Sequence, residues 1–235
     1  MERYAFKWEK LTLPILFVGM IIALYLVFPW VPPDKMLGVV QKIFYFHVAS
    51  AWNAFLAFFV VFITSIFYLK TRNRKYDVIA SVSAEIGVLF TTIVLITGPI
   101  WGRSSWNAWW SWEPRLTTTL ILWFIYLAYL MVREMDGDWE KKARLSAVFG
   151  IVGFIDVPIV YMSIRWWRTK LHPVVFGEGV DQTGGGIEPS MMVTLLTSVV
   201  LFTILYIVLL NRGIALQHMK IKLEQLKEQV REYVL

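Results

Sequence analysis

Two histidines, five crowded tryptophans and four arginines carry the chemistry legible in this sequence. His47 stands in "KIFYFHVASAW" and His172 in "RWWRTKLHPVVFGEG". Imidazole is a common iron ligand, and a pair of imidazoles suits both axial positions of a porphyrin iron. A histidine near a membrane surface serves equally well as a hydrogen-bonded bystander, and spacing alone leaves both readings open. Between the histidines lies "WGRSSWNAWWSWEPRLT", which holds Trp101, Trp106, Trp109, Trp110 and Trp112. Indoles bury large area at low conformational cost and stack on flat conjugated ligands. The alternative is an interfacial aromatic belt, although belt tryptophans usually scatter over several helix ends.

The arginines fit the same picture. Arg103 and Arg115 flank the tryptophans, and Arg165 and Arg168 precede His172. Guanidinium pairs bidentately with carboxylates, such as the two propionates of haem. Snorkelling at a helix end is the plainer reading for any one of them. Glu113 and Arg115 straddle Pro114, which suits the first turn of a helix. Glu113 is expected to orient an arginine or an indole N–H rather than to act as a general base.

The elements that position these groups must lie in a bilayer. Of 235 residues, 57% are hydrophobic and 17% charged, and the mean hydropathy is positive. A soluble domain of this length could not hide so much apolar surface. The chain has no cysteine, which excludes disulfides, thiolate metal sites, a C-x-x-C redox pair and covalent c-type haem attachment to this chain. The net charge of +6 is explained by membrane flanks, so no nucleic-acid partner is expected and membrane lipids are. No nucleophile elbow, P-loop, H-E-x-x-H or dinucleotide fingerprint is present.

Six apolar runs approach the roughly 20 residues a membrane helix needs: 11–28, 44–69, 78–97, 117–132, 145–162 and 190–210. The first lacks a small-residue cleavage site and is expected to be a span rather than a signal peptide. Sixteen of the 23 basic residues fall on the amino end, two joints and the tail that share one side. The positive-inside rule therefore predicts an all-α polytopic membrane protein of six transmembrane helices with both termini cytoplasmic. Segments 29–43, 98–116 and 163–189 are then outer loops, longer and richer in aromatic residues than the inner joints. Residues 1–212 form the expected transmembrane domain, with the tryptophan-rich loop at 98–116. Residues 213–235 form a tail in which Leu216, Met219, Leu223, Leu226, Val230 and Tyr233 recur at spacings of three and four. That stripe predicts a C-terminal amphipathic helix, either lying on the inner membrane face or docking a partner subunit. Within the spans, Glu85 and Asp156 are costly in lipid and expected to pair or to line a polar path. Asp156-Val157-Pro158 is expected to bend the fifth span.

These segments together resemble the CcmC-type haem-handling proteins of cytochrome c maturation system I, over about residues 41–210. "WGRSSWNAWWSWEPRLTTTLILWFIYLAYL" resembles the tryptophan-rich (WWD) signature of that family, and "KIFYFHVASAW" its first-histidine segment. "AEIGVLFTTIVLITGPIWG" and "VPIVYMSIRWWRTKLHP" resemble the approach to the signature and the second-histidine segment. The resemblance implies binding of haem b (iron protoporphyrin IX) at the periplasmic face of the bacterial or archaeal inner membrane. His47 and His172 are the implied axial ligands, with the five tryptophans as platform. It also implies presentation to a membrane-anchored haem chaperone, CcmE, in a complex with the ABC transporter subunits CcmA and CcmB and the small membrane protein CcmD. The sequence departs from the family pattern at Glu113, where the signature has aspartate, and at Asp156, where asparagine is usual. Lys170 and Pro173 beside His172 are also unusual. Two other functions stay open: a permease moving haem through the bundle, and a haem-lyase-like synthetase component, against which the short chain argues.

Overall fold

The computed structural model describes residues 9–35, 37–167, 172 and 187–234. Six helices dominate: α1 (Glu9–Tyr25), α2 (Ile43–Thr71), α3 (Arg74–Trp106), α4 (Pro114–Glu134), α5 (Trp139–Trp166) and α6 (Pro189–Val234). A π turn, Leu26–Trp30, extends α1, and a 3-10 turn, Val39–Lys42, leads into α2. Among the described residues there is no strand, only an isolated bridge between Asp34 and Gly38. Six segments are long and apolar enough to cross a bilayer, as the sequence predicts. The protein is an all-α, multi-pass membrane protein.

Local chemistry sets the helix ends. Arg72 closes α2 in the left-handed region, at φ 56°. The Asn73 side chain accepts from the Lys75 N–H at 3.0 Å and starts α3. Only two residues separate these helices, so they must pack antiparallel, and they form the most extensive helix pair. Asp138 caps α5 by accepting from the Glu140 and Lys141 N–H groups at 3.3 and 3.2 Å. Pro114 occupies the first turn of α4, as expected.

The middle of the bundle is aromatic and closed. The Phe58 and Tyr126 rings stack at 3.7 Å between centroids with both residues fully buried. The Tyr126 hydroxyl donates to the Gly150 carbonyl at 3.1 Å. Ser83 donates to the Ala57 carbonyl at 2.8 Å and pairs with the Tyr206 hydroxyl at 2.8 Å, which ties α2, α3 and α6 together. These polar atoms satisfy one another where no water can.

Two expectations need adjusting. The segment 98–116 is a loop only over residues 107–113, because α3 continues through Trp106. The tail is helical as expected, but it continues α6, which runs from Pro189 to Val234. Pro158 lies inside α5. Glu85 borders a polar cavity lined also by Arg74, Asp77, Arg133, Lys142 and Lys220, near the junction of α3, α4 and α6. Within it, Arg133 holds Asp77 bidentately at 2.6 and 2.9 Å.

Candidate haem site

At the opposite end of the bundle, one cavity gathers residues from α2, α3, α4, α5 and the stretch before α6. His47, Trp101, Trp106, Trp110, Arg115, Arg165 and His172 all line it. His47 comes from the first turns of α2, and Trp101 and Trp106 from the last two turns of α3. Arg115 sits in the first turn of α4 and Arg165 in the last turn of α5. The rest of the wall is mostly apolar, including Phe44, Trp52, Phe55 and Leu95.

Hydrogen bonding sets the tautomer of each imidazole. Thr97 Oγ1 donates its one hydrogen to the Ile93 carbonyl at 2.7 Å. With that hydrogen engaged, the hydroxyl is placed to accept from His47 Nδ1–H, 2.9 Å away. His172 Nδ1 donates to Glu113 Oε1, with side-chain exposures of 16% and 8%. A neutral ring that donates through Nδ1 keeps its lone pair on Nε2. Such outer hydrogen bonds fix ring orientation and raise ligand basicity in metal sites, most strongly when the acceptor is a carboxylate. Thr97 carries no sequence signal, because its partner lies fifty positions away. Glu113 orients a histidine, not the arginine or indole expected of it.

The five tryptophans divide. Trp101 and Trp106 meet edge to face at 5.3 Å, and Trp106 lies 5.8 Å from the His172 ring. Trp110 lines the cavity as well. Trp109 and Trp112 do not, and are 61% and 75% exposed. Trp112 meets the edge of Trp110 at 5.6 Å. α3 passes close beneath the first imidazole at Gly98, where a Cβ would stand in van der Waals contact, 3.4 Å from His47 Cε1. Arg115 is held by the Val160 and Tyr161 carbonyls at 3.4 and 3.2 Å, close to the carboxyl end of α5. The Arg165 guanidinium lies 5.3 Å from the Tyr161 ring centroid. Arg103 turns away, donating to the Asn107 carbonyl at 2.7 Å and to its side chain. Arg168, Lys170 and Pro173 lie outside the described residues.

The donor set suits an iron porphyrin. Two imidazoles with unprotonated Nε2 atoms share one apolar, indole-lined cavity with two arginines. The buried Trp101, Trp106 and Trp110 Nε1–H groups have no acceptor among the described residues, and a ligand's carboxylates would supply one. Among the described residues, no group of three or more His, Cys, Asp or Glu could hold a bare metal ion. The split also predicts unequal effects. Trp110→Ala should lower haem affinity by about tenfold, the order of one lost aromatic contact, whereas Trp109→Ala should leave it unchanged. Titrating haem into both purified variants checks this.

Comparison with known proteins agrees with the geometry. The profile of the family described as "CcmC: Heme exporter protein C" matches residues 2–231. The chain is 36% identical over 179 residues to "Heme exporter protein C" of Bradyrhizobium diazoefficiens, covering 76% of this chain and 66% of that one. It is 32% identical over 189 residues to the "Putative cytochrome c biosynthesis ccmC-like mitochondrial protein" of Marchantia polymorpha, covering 80% and 78%. It is 29% identical over 178 residues to "Heme exporter protein C" of Escherichia coli K12, covering 76% and 70%. With a match across nearly the whole chain and the two histidines gathered at one aromatic cavity, the protein belongs to the CcmC, or haem exporter protein C, family.

Proposed function

We propose that this protein handles haem for cytochrome c biosynthesis, binding haem b at the outer face of the cytoplasmic membrane and presenting it to the haem chaperone CcmE. His47 and His172 supply the axial nitrogens, oriented by Thr97 and Glu113. Trp101, Trp106 and Trp110 cover the ring, and their N–H groups, with Arg115 and Arg165, receive its carboxylates. Trp109 and Trp112 stand at the rim, where an incoming chaperone would meet them. Haem brings the iron chemistry; the protein binds, orients and shields it. CcmA, CcmB and CcmD would complete the release complex.

One observation carries the reading: both histidines line the same cavity with their Nδ1 atoms engaged in hydrogen bonds. Passage of haem through the bundle is the weaker alternative. Between this cavity and the polar one at the other end lie the buried Phe58–Tyr126 stack and Phe90.

Sealed proteoliposomes test the proposal. With the His47 face outward, haem added outside should pass to apo-chaperone outside, with none reaching the lumen. Haem accumulating in the lumen would overturn delivery at one face in favour of permeation.

A further inference from the structure

α6 does not stop where its apolar span ends. It continues unbroken for 24 residues past Leu210, to Val234, which adds about 36 Å. Its first extended turns stay on the bundle. Gly213 packs so tightly on α3 that a Cβ would come within 2.3 Å of Val82 Cγ1, and Gln217, Lys220 and Ile221 border the inner polar cavity. Beyond that, every residue over 222–232 is exposed. Leu216, Met219, Leu223, Leu226 and Val230 are 50%, 58%, 52%, 49% and 62% exposed. They form a single seam with heptad spacing on the face turned away from the bundle. An isolated helix of this length is marginal in water, so the seam calls for cover.

The charges around the seam are sorted. On the helical repeat, Lys220 and Lys227 border it on one side and Lys222 on the other, while Glu224, Glu228 and Glu232 lie on the far face. Lys227 also reaches Glu224 at 2.7 Å, in an exposed pair that contributes little. A second copy of this chain would set lysine against lysine across the seam. A bilayer fits poorly too. The seam is only two residues per heptad wide, narrower than the face of a surface-lying helix. The helix also runs on unbroken from its membrane span.

We propose that this seam docks an amphipathic helix of another protein, with apolar residues at its own seam positions and Glu or Asp flanking them. The interaction is independent of the haem site and joins the opposite end of the bundle to a partner. A three-heptad peptide with Leu and Val in the seam and Glu at its flanks is the probe, with a Lys-flanked peptide as counterpart. Fluorescence anisotropy on the full chain in zwitterionic nanodiscs should show the Glu peptide binding about tenfold or more tightly than the Lys peptide. The Lys220→Glu, Lys222→Glu, Lys227→Glu triple variant should reverse that order, and Leu223→Asp with Leu226→Asp should abolish binding. All these side chains are exposed, and an unchanged haem spectrum would verify folding. Binding of neither peptide, or equal binding of both, would overturn the proposal. Protection of tail amides by anionic nanodiscs without peptide would assign the seam to the bilayer instead. Dimerisation of the chain through the tail would assign it to a second copy.

Discussion

Replacing His47 or His172 with Ala leaves a protein that inserts normally but holds haem far more weakly than the wild type. Each substitution removes one of the two proposed axial nitrogens from a cavity whose described lining holds no third histidine and no Met or Cys. The loss should exceed the roughly 10–100-fold that outer-shell changes cost metal sites. The two variants should differ in kind. His47→Ala leaves Thr97 with its own donation to Ile93 intact, so the protein tolerates it. His172→Ala strands the Glu113 carboxylate, 8% exposed, at a cost of about 1–3 kcal/mol or more for a buried acceptor without a donor. Its Tm should therefore fall, while that of His47→Ala should not. Added imidazole should restore haem binding to His47→Ala in part by filling the vacated ligand position. Spectral titration and thermal unfolding in detergent read the two effects separately.

Glu113→Ala should weaken haem binding by about 10–100-fold although Glu113 does not line the cavity. The carboxylate fixes the Nδ1–H tautomer of His172 and makes its Nε2 a better donor. Glu113→Gln keeps an acceptor but loses the charge, and should fall between wild type and Ala. Bound haem should then show a more positive reduction potential, because a less basic imidazole stabilises ferric iron less well. That shift separates an electronic role from loss of packing, which would lower affinity and leave the potential of the remaining bound haem unchanged. Glu113→Asp, one methylene shorter, tests reach: a drop toward the Ala value would mean that the longer side chain is what spans the gap to His172 here.

Much of this was open to inspection in the amino-acid chain, and the exceptions have physical causes. The six spans are readable because lipid leaves the backbone no other solution. The two histidines and three of the five tryptophans line one cavity. Which three could not be read in advance. α3 hides its last turns behind Gly98, Gly102, Ser104 and Ser105, weak helix formers that resemble a loop. Packing keeps them helical, and that helix carries Trp101 and Trp106 inward. Residues 107–113 have no period, so the outward turn of Trp109 and Trp112 leaves no pattern. Thr97 is invisible because a hydroxyl two residues before a proline resembles every other threonine in a membrane helix. The stripe in the tail was legible as a helix face. Its projection beyond the bundle depends on the close fit of Gly213 against Val82, a tertiary contact.

Electron paramagnetic resonance of ferric haem bound to the purified full chain tests directly whether two imidazoles grip one iron. The expected spectrum is a six-coordinate low-spin signal of bis-imidazole type, lost to high-spin haem in His47→Ala and in His172→Ala alike. A high-spin signal in the wild type, or a low-spin signal unchanged in either variant, would contradict it.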